Sequence, residues 1–126
     1  MSTTDDALAG VEAARARVAG QIAQAEARRA GIHALADEIR ALSATVRSSR
    51  GEVQVTAMPG GQVTAVTFSS IAEQLDAASL SAIATRTVAE AQQRAAELAV
   101  ELASEKLGAE SPFVAQLRGD VAGFGR

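Results

Sequence analysis

Two hydrophobic periods divide the chain. From Ser2 to about Arg47 apolar residues recur every seven positions, at Val11, Val18, Ala25, Ile32, Ile39 and Val46, and Leu35 and Leu42 fill the intermediate position in the second half. A sustained seven-residue repeat predicts a long coiled-coil-type helix. The hydroxyls and acids of Ser2–Asp6 suit its start, where a side chain can cap free N–H groups and negative charge meets the helix dipole. In the first half the intermediate positions are Ala14, Gln21 and Arg28, so the seam is well formed only toward its C-terminal end. Gly10, Gly20 and Gly31 each cost about 1 kcal/mol relative to Ala in a helix interior, and the N-terminal half is expected to fray or bend. About 40 helical residues span roughly 60 Å, against a radius of gyration of about 13 Å for a compact domain of about 100 residues. Such a helix must pack along a second helix, a second subunit, or both.

The period changes to two at Glu52. Val53, Val55 and Ala57 alternate with Gln54, Thr56 and Met58, and Val63–Phe68 is again rich in Val and Thr. Two such arms on one short turn predict an antiparallel hairpin. Pro59 suits the second position of a type II turn and Gly60 the positive φ that follows. Ser48–Gly51 breaks the helix and leaves room for one extra strand before the hairpin. An isolated hairpin is marginal in water, so helices or a second copy must cover it.

After Phe68 a connector from Ser69 holds one irregular turn, and Asp76 or Ser79 caps a second helix. Leu80, Ile83, Val88, Ala91, Leu98 and Leu102 keep helical spacing through Leu107, where Gly108 can end it. Residues 108–126, with Glu110-Ser111-Pro112 and a Gly-rich end from Gly119, read as a disordered tail. Gly123-Phe124-Gly125-Arg126 reads as a frayed end rather than a recognition segment. The expected fold class is α+β: one domain over 1–107, with a long N-terminal helix, a small antiparallel β-sheet (hairpin plus extra strand) and a long C-terminal helix.

Composition narrows the chemistry. A chain of 126 residues suits one domain. Much of its 48% hydrophobic content is Ala, and Phe68, Phe113 and Phe124 are the only aromatics, which suggests a small core completed by a partner chain. Without Cys there is no disulfide, thiolate ligand or thiol nucleophile. The first ten residues do not resemble a signal peptide, and no stretch approaches the roughly 20 apolar residues of a membrane span. A soluble, cytoplasmic protein without membrane partners is expected. Net charge is −3, unevenly spread: through residue 50, seven Arg face six acids, and beyond it five bases face nine acids.

The order of elements, with Val53-x-Val55-Thr56, Val66-x-Phe68-Ser69, Leu75-Asp76 and Val88-Ala89-Glu90-Ala91, resembles the YbaB/EbfC family of bacterial nucleoid-associated proteins over about residues 5 to 107. The resemblance implies a tweezer-like homodimer whose paired long helices project from a central sheet. It also implies binding of duplex DNA with little sequence preference, in the nucleoid. Some actinobacterial relatives accompany type VII secretion loci, and the Ala- and Arg-rich composition suits such a source. The second strand here, Gln62-Val63-Thr64-Ala65, lacks the basic residues common in the family, and the tail offers only Arg118 and Arg126.

Catalysis has little to work with. His33 is the only His and lies one residue off the apolar seam, which reads as a solvent-facing side chain. Glu97, Glu101 and Glu105 share a helical face but no His converges on them, so they read as a solvated surface rather than a metal site. Pro59-Gly60-Gly61 lacks the Lys-Ser/Thr of a phosphate loop. No enzyme activity, cofactor, metal or small-molecule substrate is expected. For DNA, phosphate affinity needs clustered Arg or Lys. The candidates are Arg15, Arg17, Arg28 and Arg29 on the first helix and Arg86 and Arg94 on the second. Against this stands ordinary pairing with Glu12, Glu26, Glu90 and Glu97, worth a few tenths of a kcal/mol each. Helices this long do not suit a helix-turn-helix, and without Trp or Tyr base stacking is unsupported. The alternative is a protein–protein interaction module, such as a type VII secretion accessory, which needs exposed apolar residues such as Leu8, Val11 and Ile22.

Overall fold

A computed structural model describes residues 3–124. The order is α1 (Thr3–Arg40), β1 (Ala44–Arg47), β2 (Val53–Ala57), β3 (Val63–Phe68), a 3₁₀ turn (Ser70–Gln74), α2 (Ala77–Leu107) and α3 (Pro112–Phe124). The α+β class and the three elements expected from sequence are present. The chain divides between Ala36 and Asp37 into two compact units, so the break falls inside the span 1–107 expected as one domain.

The first unit is the part of α1 up to Ala36. The helix is uninterrupted through Gly10, Gly20 and Gly31, because the Ala-rich turns around them have the best intrinsic helix propensity. Several of its heptad positions are open: Val11, Val18 and Ile32 are about half exposed, and Leu35 alone is buried along α1.

In the second unit the helix stops earlier than its repeat suggests. Val46, read as a heptad residue, lies in β1, which pairs antiparallel with β2 from Ala44↔Ala57 to Arg47↔Gln54. The β-branched pair Thr45-Val46 gains more from a ladder than from another helical turn, and Thr45 and Thr56 share a hydroxyl hydrogen bond of 2.9 Å across the strands. The extra strand therefore precedes Ser48–Gly51 rather than forming in it. The strand order is β1-β2-β3, and β2–β3 carries a bulge at Thr56/Ala57 that leaves Ala57 opposite Val63.

The hairpin turn also differs in detail. Gly61 N–H donates to Met58 O at 2.9 Å, and Gly61, not Gly60, has the positive φ of 95°. The turn thus begins at Met58, with Pro59 second, Gly60 kept out of positive φ and Gly61 at the fourth position, where type I turns prefer glycine. Gln92 Nε2 on α2 ties this turn down by donating to Gly61 O at 2.7 Å.

Asp76 caps α2 by accepting from the Ser79 N–H at 3.3 Å, and Gly108 ends it with φ 86°. α2 lies over β1 and β2: Val53, Val55, Ala57 and Ala91 are fully buried, with Val46, Val63, Leu80, Ile83 and Val88 packed around them. Its buried stripe is mostly Ala (91, 95, 96, 99, 103), so the small side chains noted in the composition allow close approach rather than dilute the core. The expected tail is the clearest correction. Ser111 Oγ accepts from the Phe113 N–H at 3.3 Å, Pro112 occupies the first helical position that suits it, and Val114 is fully buried as α3 packs on α2. Gly125 and Arg126 of the Gly-Phe-Gly-Arg segment lie outside the described residues.

Candidate nucleic-acid interface

The six candidate arginines fall in different surroundings. Arg15, Arg17, Arg28 and Arg29 all lie exposed on α1, within the first unit. Helical geometry regroups them, since residues two apart point to opposite sides. Arg17 and Arg28, eleven residues apart, fall on nearly one line of the helix about 16 Å apart, and Arg15 and Arg29 form a second line about 21 Å long. Among the described residues none of the four has a carboxylate within ion-pair distance, so the expected pairing with Glu12 and Glu26 is not made.

On α2 the two candidates separate. Arg94 is the one that ordinary pairing describes: its Nη1 lies 3.2 Å from Glu101 and 3.5 Å from Glu97. Arg86 is exposed and has no such partner among the described residues. It lines a polar cavity of about 550 Å³ with Arg47 and Arg50. Those two residues were not among the sequence candidates, because no periodicity joins a strand end and a turn to a helix more than 30 residues later. Only the local richness in Arg before residue 50 hinted at them.

The turn that carries Arg50 is held by Glu52. That residue is buried, and its carboxylate accepts from the Arg50 N–H at 2.9 Å and the Ser48 hydroxyl at 3.1 Å. Its own backbone N–H, then the Ser48 hydroxyl and the Arg50 N–H and charge, hold its carboxyl below the usual 4.5 against the opposing effect of burial. Asp76 is likewise lowered, by the Ser79 hydroxyl and N–H that it caps.

Catalytic features are sparse. His33 is exposed on α1, and among the described residues no group of three His, Cys, Asp or Glu could hold a metal. A second cavity of about 560 Å³, between Met58–Gly60, α2 and α3, is lined mainly by apolar groups such as Ile39, Leu117 and Val121. Among the described residues no helix is long and apolar enough to cross a membrane.

No curated protein matches the sequence. The family model of the YbaB/EbfC DNA-binding family matches residues 6–109, from near the start of α1 to just past the end of α2. The chain belongs to the YbaB/EbfC DNA-binding family.

Proposed function

We propose that this protein is a nucleoid-associated protein of the bacterial cytoplasm that binds duplex DNA as a homodimer, with low sequence specificity, through arginines. The family match over most of the chain carries the DNA reading. The exposed, unpaired Arg15, Arg17, Arg28 and Arg29 support the surface, since a guanidinium without a carboxylate partner is free to displace counterions from phosphate. Arg86, exposed on α2 and without a carboxylate partner among the described residues, is a further candidate. Arg94 contributes less, because its two glutamates must first be displaced, although exposed pairs of this kind are worth little.

A second chain is supported by the sheet. Val66 and Phe68 pair with Val55 and Val53, so they share the apolar face that α2 covers. Cross-strand partners project to one side. Yet Val66 is 44% and Phe68 51% exposed, and Ile71 beside them is 42% exposed. An edge strand with open backbone groups and large apolar side chains is a ready pairing surface.

The test is anisotropy with labelled duplex DNA at two salt concentrations. Binding is expected to ignore sequence and fall steeply with salt. Arg28→Glu with Arg29→Glu is expected to abolish most of it without loss of helicity. Unchanged affinity in that double variant means that α1 is not the surface. A second reading, an interaction module for a protein partner such as a type VII secretion accessory, is favoured by one observation: Leu8, Val11 and Ile22 are each about half exposed on α1. No DNA binding by the wild type at low salt moves the assignment to that reading.

A further inference from the structure

The geometry points to Arg47, Arg50 and Arg86 as a phosphate grip for the DNA backbone, built into the unit from Asp37 onward and separate from the arginines of α1. It rests on the DNA reading above. The three side chains line one cavity of about 550 Å³ between the β1–β2 turn and the first half of α2.

The site is built rather than incidental. The Gly51 N–H donates to Ser48 O at 2.9 Å and the Ser48 N–H to Val53 O at 2.9 Å, while Glu52 fixes Arg50 and Ser48 as described. Gly51 has φ 76°, and a Cβ there would stand 3.1 Å from Arg47 Nη2. The turn therefore holds the Arg47 guanidinium over a residue with no side chain to push it away. On α2, Thr87 next to Arg86 is buried, with its hydroxyl donating to Ile83 O at 2.7 Å.

The electrostatics call for an anion. Three guanidinium groups around one concavity repel each other, and among the described residues none lies within 4.0 Å of a carboxylate. Glu52 and Glu90 line the same cavity, but Glu52 is buried and occupied in the turn. Only Glu90 is exposed enough to oppose an incoming phosphate. A phosphodiester oxygen pair matches the guanidinium fork better than a point charge does, and Ser49 of the turn and Ser79 of α2, which line the same cavity, carry further hydroxyl donors. Such contacts position the backbone without reading sequence.

The experiment compares salt dependence of duplex DNA binding in three forms of the full chain. Wild type sets the slope. The triple variant Arg47→Gln, Arg50→Gln, Arg86→Gln is expected to lose about one from the magnitude of the log–log slope for each arginine per engaged protomer, with weaker binding on every sequence. Glu90→Gln is expected to bind more tightly than wild type, a gain that misfolding cannot imitate. If wild type binds and the triple variant keeps its full slope, the grip is overturned while the DNA reading stands. An unchanged or weakened Glu90→Gln overturns it equally. If wild type itself does not bind DNA, both readings fall together.

Discussion

At the scale of single residues, Glu52 links stability to the candidate interface. Its folded-state pKa lies below 4.5 because the charged form accepts hydrogen bonds from its own N–H, Ser48 and Arg50. A lowered carboxyl pKa stabilises the fold above the unfolded value, and that stability is lost as pH falls through the lowered folded value. Thermal melts of Glu52→Gln should therefore vary less than wild type between about pH 5 and pH 3. Equal pH dependence in both forms would show that the carboxylate is not engaged as described. Asp76 shifts in the same direction and leaves a residual slope in the variant. Residue chemistry of this kind was partly legible. Asp76 as a cap and Gly108 as a stop follow from local rules, and both hold. The positive φ falls at Gly61, one residue after the Gly60 that a type II turn would use, because Pro59-Gly60 suits two turn types whose choice depends on strand register.

At the scale of elements, the sequence identifies a long helix, a hairpin with an extra strand before it and a second helix, and misplaces where that strand begins and how the chain ends. Val46 continues a heptad in sequence yet sits in β1, since its pairing with Val55 across the Ser48–Gly51 turn is a contact that a seven-residue helical period does not register. The C-terminal end hid its helix for a similar reason. Its glycines and Pro112 suggest disorder, while Phe113, Val114, Leu117 and Val121 form a short apolar face that matters only once α2 offers a stripe of alanines to receive it. Val114 is fully buried, so placing a charge there leaves it without a partner in an apolar setting. Val114→Asp should lower helical content by about the length of α3 and lower the melting midpoint. Hydrogen exchange offers the finer check: amides of 115–122 should be protected in wild type and exposed in the variant. Fast exchange across those amides in the wild type would return this segment to the disordered tail that its composition suggests.

At the scale of the whole molecule, the charge balance and the sheet edge lead to one requirement. Each chain carries −3 overall, so DNA is held against the mean field, and local arginine clusters must outweigh it within about one Debye length of 10 Å at 0.1 M salt. One chain offers few such clusters, and a second copy doubles them and lets two weak grips act on one duplex with the advantage of linked sites. The surface best placed to bring in that copy is β3. α2 covers β1 and β2, leaving Val66 and Phe68 on the apolar face but uncovered. Phe68→Glu puts a charge where a partner strand must desolvate it, and its own strand already tolerates solvent at that position. Light scattering should find wild type as a dimer at micromolar concentration and the variant as a folded monomer. If DNA binding depends on the paired state, the monomer's salt slope should be about half that of wild type, since half the phosphates are contacted. A variant that remains dimeric places the interface elsewhere. A folded monomer that retains the full slope means that one chain makes every contact, and the exposed residues of β3 then serve a different partner.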